Sequence, residues 1–404
     1  MSSGLLALAL ALGLLAAGAA PAAAILTPEA ELRLREAGHD PAEIKSPLNT
    51  DEEMRAWARK VIPAGMPEPD RLKLLLELLH ESSRFDFEYQ AGYTATVPET
   101  FRNGRYNCLS FSMLFVELAR SLGLPASYLS IRRDHSFRRD GDLVVLTRHI
   151  TAGYGGFADR TVLEFDVGPE VDYQAAVSIT DTEALALFYS NRGAELLRND
   201  QLEAATDKLR IAVLLAPEIA QSWVNLGVVH RRLDRFVEAR DAYERAAALE
   251  RDNIAAYQNM VILLRRSGEL EAAQELIDLL DSHGNRNPFT YLTLGDFSLE
   301  DGRLSEAGNF YKKAHRLARG EADTNAAIGL WALLVGKTAR AESWLRKAKK
   351  IEPKNERVVR LSARIEAKKR RDRECQKIGS PGSAYASLNA TFFCRESDSD
   401  DEES

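Results

Sequence analysis

The chain has 404 residues with 45% hydrophobic composition, enough for two to four domains with buried cores, which excludes a disordered chain. Its 53 Lys+Arg against 60 Asp+Glu give a formal charge of −7, so no net basic charge favours nucleic acid. The largely apolar stretch from Leu5 to Leu26 is the only run long enough to cross a bilayer, which excludes a polytopic membrane protein.

In chain order, Leu5 to Leu15 leads into the small residues Ala16 to Ala24, the form of a signal h-region followed by cleavage sites. Residues 1–24 are therefore expected to direct export to the periplasm or cell envelope and to be removed, leaving no membrane span. An uncleaved anchor is the alternative, and the segment Met1 to Gly4 lacks the usual Lys or Arg. Residues 25–180 begin with helical periodicity over Thr27–Ala37, Asp51–Val61 and Pro69–Leu79, and again over Leu109–Leu122, where Gly123 stops it. Strands are predicted over Ala126–Arg132, Leu143–Thr151 and Thr161–Val167, with a hairpin turn at Asp140-Gly141. Helices followed by an antiparallel sheet predict an α+β domain.

Beyond it, small residues recur every 34 positions. Gly193, Gly227, Gly295 and Gly329 share one register with Val261 in the third slot; Ala205, Ala239, Ala273, Ala307 and Ala341 share a second. Ala212, Ala246, Ala314 and Ala348 share a third, with Leu280 as the exception. This pattern resembles five tetratricopeptide repeats, helix-turn-helix units that bury a continuous core only as an array. The resemblance implies an all-α solenoid over residues 186–355; residues 356–374 read as a capping helix with a polar outer face, and 375–404 as a flexible acidic tail.

The chemistry-bearing residues lie in the α+β region. Cys108 opens the helix of Leu109 to Leu122, where the macrodipole favours a thiolate. His149 follows 41 residues on, within a strand, and Asp166 lies 17 further, at the end of the next. Adjacent antiparallel strands bring such a His and Asp into reach, the Asp fixing the imidazole tautomer and the His activating the thiol. Asn107-Cys108, Leu118-Ala119-Arg120 and Gly123-Leu124-Pro125-Ala126 resemble the core of the transglutaminase-like superfamily, with its papain-like cysteine fold, over roughly residues 85–170. That resemblance makes Cys108 the nucleophile, His149 the general base and then acid, and Asp166 the orienting carboxylate. Asn107 stands where family members often have Gly, and Thr151 where they often have Trp. The implied function is an exported thiol-dependent acyl-transfer enzyme that hydrolyses amides through a thioester. The alternative is a non-enzymatic envelope scaffold with a degenerate domain.

Cys108, Cys375 and Cys394 are an odd set for an oxidising compartment. Pairing Cys375 with Cys394 would close a tail loop and leave Cys108 as a thiol. No His or Cys spacing has the form of a zinc site, and no Walker A or dinucleotide fingerprint is present, so neither metal nor cofactor is expected. In the repeats, Asn191, Asn225 and Asn259 recur at 34, as do Arg198, Arg232 and Arg266, with Arg231 and Arg265 in a parallel row. By resemblance, the Asn ladder lies on the concave surface and hydrogen-bonds the backbone of a protein or peptide ligand. The Arg row suits carboxylates, although the same spacing also fits guanidinium groups that are merely solvated.

Overall fold

The computed structural model describes residues 26–81, 85, 87–131, 137–140, 143–146, 149–155, 161–163, 176–251, 253–282 and 287–378. The signal segment, Asp166, Cys394 and the acidic tail lie outside them. The chain divides into two compact units, residues 1–134 with 147–259 and residues 135–146 with 260–404.

The first unit opens with short capped helices. In α1 (Pro28–Glu36), the Thr27 hydroxyl accepts from the Ala30 N–H, and Pro28 fills a position where no donor is needed. Asp40 caps α2 (Pro41–Lys45), a 3₁₀ turn follows at Ser46–Leu48, and Asp51 caps α3 (Glu52–Val61). After α4 (Glu68–Glu81) comes β1 (Glu88–Tyr89). Then α5 (Val97–Asn103) is held at its start by a reciprocal Thr96–Glu99 box and ended by left-handed Gly104. β2 (Arg105–Tyr106) pairs parallel with β1 and delivers the chain to α6 (Cys108–Ser121). This helix is the centre of the domain: every residue from Leu109 to Val116 is buried.

The strands are β3 (Ser127–Ile131), β4 (Phe137–Asp140), β5 (Leu143–Leu146), β6 (His149–Tyr154), β7 (Thr161–Leu163) and β8 (Ala176–Ile179). Four of them form an antiparallel sheet in the order β7-β6-β3-β8. The stretch Leu143–Thr151, predicted as one strand, is two, because β5 pairs with β4 in a separate hairpin while β6 pairs with β3 and β7. One face of the sheet, with Tyr128, Ile150, Ala152 and Leu163, shares the α6 core. Leu129, Ile131 and Ala176, with Val162 against them, form a separate cluster on the other face.

The repeats then begin with α7 (Asp181–Arg198) and α8 (Leu202–Leu215), followed by α9 (Ala220–Arg232) and α10 (Phe236–Leu249). A Thr180–Glu183 capping box starts α7 at Asp181, ahead of residue 186, where the periodicity becomes visible. The first repeat is welded to the domain before it. Arg33 donates through Nε and Nη2 to the carbonyls of Leu214 (2.7 Å) and Leu215 (3.1 Å), satisfying the C-terminal end of α8. Arg120 meets Asp181 at 2.8 Å, and one hydrophobic core runs from Leu26 to Ile219. In the second repeat, a Cβ placed on Gly227 would lie 2.4 Å from the Tyr243 ring, so glycine is what admits the tyrosine.

The boundary between units falls inside α11 (Ile254–Arg266). The second unit continues with α12 (Leu270–Ser282), α13 (Pro288–Glu300), α14 (Leu304–Leu317), α15 (Ala322–Leu334), α16 (Thr338–Ile351) and α17 (Glu356–Ile378). Gly295 faces Tyr311 with the same 2.4 Å spacing seen at Gly227. Val358, Leu361 and Ile365 of α17 pack in one core with Ala341, Leu345 and Ala348. The turns inside the repeats use a left-handed residue at positions 200, 234, 268, 302 and 336, Asp in the first two and Gly in the rest. No helix among the described residues is long and apolar enough to cross a membrane.

Candidate functional site

Asn107 shapes the start of α6. Its Oδ1 accepts from the Ser110 N–H (2.9 Å) and the Ser110 hydroxyl (3.0 Å), while its Nδ2 donates to Thr94 Oγ1 (2.7 Å). Asn at this position is therefore a helix cap tied to the preceding loop, two roles that the Gly frequent in the resembling family could not fill. Cys108 is the first residue of the helix, partly exposed, and carries a thiol outside any disulfide. Cys375 is disulfide-bonded, and the partner expected for it, Cys394, lies outside the described residues. One turn beyond Cys108, the Ser112 hydroxyl lies 2.7 Å from the Cys108 carbonyl and 3.1 Å from the carbonyl of Ile150. The N-terminal end of α6 is thereby held beside the start of β6, where His149 stands.

His149 opens β6 and pairs with Ile131. Thr151 is buried and its hydroxyl donates to the Leu163 carbonyl of β7. Asp166 lies three residues past the end of β7, outside the described residues. Phe87, Tyr106 and Phe111 pack edge-on or tilted within 5.5 Å, and His80 lies 5.0 Å from the Phe111 ring.

On the repeats, Asn225 accepts from Gln221 Nε2 (3.0 Å) and reaches Ser190 Oγ at 3.5 Å. Asn259 is buried; its Nδ2 donates to the Ala255 carbonyl (2.8 Å), and its Oδ1 has no hydrogen-bond partner. A buried amide oxygen with nothing to accept from is a cost that a ligand N–H would remove. Asn191 is half-buried on α7. Among the arginines, Arg198 donates to the Gly92 carbonyl (3.3 Å) and Arg232 to the Leu197 carbonyl (3.1 Å), so part of each fork ties elements together. Arg266 is exposed, and Arg265, in the parallel row, is bound through two nitrogens to Asp301 at 2.9 and 2.8 Å.

Two charged groups were not anticipated by the periodicity. Arg357, at the start of α17, forms a two-pronged pair with Asp296 at 2.7 Å on both oxygens. Burial works against its charge, but Asp296 and Asp323 outweigh burial and hold it firmly protonated. Position 296 falls in a register whose other members are Ala194, Val228, Ile262 and Leu330, so the break to an acid was the available signal. In the first unit, Glu117 accepts from Tyr128 (2.9 Å) and Arg120 (3.2 Å); burial pushes its carboxyl upward against the pull of Arg120. Among the described residues, no cluster of His, Cys, Asp and Glu could hold a metal ion.

The family model of the tetratricopeptide repeat matches residues 220–253. Human protein O-mannosyl-transferase TMTC3 is 31% identical over 172 residues, 42% of this chain and 18% of that protein. The mitochondrial import receptor subunit TOM70 of Rattus norvegicus is 26% identical over 156 residues, 37% of this chain and 26% of that one. The chain thus spans about a quarter or less of the length of these relatives. Among solved structures, pilF of Pseudomonas aeruginosa is 22% identical and covers 52% of this chain and 97% of its own, with a TM-score of 0.38. The chain carries tetratricopeptide repeats, a protein-interaction module, in a mostly helical array.

Proposed function

We propose that this protein is an exported acyl-transfer enzyme in which Cys108 attacks an amide carbonyl and the repeats hold the polypeptide that supplies it. Residues 5–24 support export by their apolar run and small-residue end. The observation that carries the reading is the tether of the α6 start, through Ser112, to the Ile150 carbonyl beside His149. The β6–β7 ladder pairs 152 with 163, 153 with 162 and 154 with 161.

In this mechanism the Cys108 thiolate adds to the carbonyl carbon, and the backbone N–H groups at the start of α6 face the developing oxyanion. The C–N bond breaks, the amine leaves with a proton from His149, and a thioester remains on Cys108. Water then adds with His149 as base, the C–S bond breaks, and a carboxylic acid is released with the thiol restored. Asn191, Asn225 and Asn259 grip the backbone of the extended substrate, with the orphaned Asn259 Oδ1 as one acceptor. The Arg198, Arg232 and Arg266 row, recurring at the same 34-residue step, gives that substrate an acidic preference.

A second reading, a scaffold without chemistry, is favoured by the pairing of position 149 with Ile131, since Leu129 and Ile131 pack on the sheet face away from α6. Iodoacetamide kinetics separate the two. The enzyme reading expects Cys108 to alkylate faster than a model thiol, and His149→Ala to slow it strongly with the circular dichroism spectrum unchanged. Reaction at the model rate, indifferent to His149, makes the protein a scaffold.

A further inference from the structure

The second unit holds a pocket of about 710 Å³ formed by α14, α15 and α16 with Asp281 of α12 at its edge. Its apolar wall is Phe310, Ile328, Trp331 and Trp344. Trp331 is fixed in place. Its Nε1 donates to the Leu304 carbonyl at 2.9 Å, and its indole lies against Gly308, where a Cβ would come within 2.4 Å of the ring. Lys312 sits 4.6 Å from the Trp331 ring centre and Lys347 3.9 Å from that of Trp344. The His315 ring stands edge-on to Trp344 at 5.0 Å, and its buried Nδ1 has no hydrogen-bond partner.

The charge of this pocket is one-sided. Lys312, Lys313, Arg316 and Arg340 line it against the single acid Asp281, which Lys313 already holds at 2.6 Å. Arg316 and Arg340 meet no carboxylate among the described residues. Aromatic walls of fixed geometry, a volume within the usual range for small ligands, and guanidinium groups at the rim suit a flat ring that bears an anion. We propose that this pocket binds an aromatic anion: a ring laid against Trp331 and Trp344, with a carboxylate, sulfonate or phosphate held by Arg316 and Arg340. The site lies between α14, α15 and α16, and involves neither Cys108 nor the asparagine ladder. The same chemistry comes from a free aromatic acid or from an acidic peptide with an aromatic side chain.

Calorimetric titration of the full chain with naphthalene-2-sulfonate tests the proposal, with uncharged 2-naphthol as the matched control. The sulfonate is expected to bind at one site and at least tenfold tighter than the naphthol. The double variant Arg316→Gln/Arg340→Gln should weaken binding at least tenfold, whereas Lys350→Gln/Lys354→Gln, which removes equal charge outside the pocket, should leave it unchanged. Gly308→Ala, which displaces Trp331, should also weaken it. Competition by an acetylated Phe-Glu-Asp peptide at lower concentration than the sulfonate identifies the peptide as the source; competition by free aromatic acids alone identifies the small molecule. Absence of saturable binding, or equal weakening by the two double variants, overturns the proposal.

Discussion

At the scale of single residues, Asn107 accounts for a departure that the sequence could only register. The family resemblance marked position 107 as unusual, yet the partners that explain it, Thr94 and Ser110, are visible only once the loop before α5 folds back. Asn107→Gly should cost a few tenths of a kcal/mol through the helix cap, plus the bond to Thr94, giving about 1 kcal/mol in urea unfolding. The Glu117–Arg120–Asp181 group predicts an asymmetry. Arg120→Met strands two mostly buried carboxylates and should cost about 2 to 3 kcal/mol, less than for full burial because the Arg120 side chain is 32% exposed. Glu117→Gln keeps the shape and the acceptor for Tyr128, and should cost under about 1 kcal/mol. Because burial raises the Glu117 carboxyl, the native state binds that proton more tightly than the unfolded chain. Its contribution to stability therefore falls as pH rises above the ordinary Glu range, and Glu117→Gln should flatten that slope. Cys108 was legible from its place at a helix start, whereas Arg357 was not, since its partner Asp296 lies 61 residues away.

Elements show which periodicities a sequence displays. The small-residue registers were legible because one side-chain size recurs where helices touch. The left-handed turn register at 200, 234, 268, 302 and 336 was hidden because a backbone requirement is met by Asp in two repeats and Gly in three. Gly227→Ala and Gly295→Ala force a Cβ into Tyr243 and Tyr311 and should each cost about 1 to 3 kcal/mol, read as a lowered thermal midpoint. The third repeat escapes this rule: Val261 is buried, and position 277, in register with the two tyrosines, is Ile. Between helices, Asp301 joins α11 to α13 through Arg265, and that bond, with help from Arg303, lowers its carboxyl to about 2. A depressed acid stabilises above its unfolded value and loses that contribution as pH falls through the folded one. Asp301→Asn should therefore reduce the acid-induced loss of stability between about pH 4 and pH 2, followed by circular dichroism.

For the whole molecule, the helical repeat array follows the sequence, and the region before it follows it in its helices more than in its strands. Thr27 and Asp51 cap α1 and α3 at the positions where the helical periodicity begins in the sequence. β8 was missed because its four residues bury little and leave Val177 63% exposed, so no apolar alternation announces it. A fragment starting at Thr180 would uncover Leu185, Tyr189, Ile211 and Leu215, which share one core with the α6 helix, and should melt below the full chain in calorimetry. Intact-mass measurement on the native protein is expected to show a chain beginning near Ile25.

The bond between Arg33 and the end of α8 also sets a schedule. Arg33 and Leu214 are separated by 181 positions. A ribosome adding 5 to 20 residues per second makes Arg33 about 10 to 40 s before its acceptor exists. Throughout that interval the apolar side of α1, Ala30 and Leu34, has no α8 to cover it. That face of α1 therefore stays open to other apolar surfaces until the first repeat is complete.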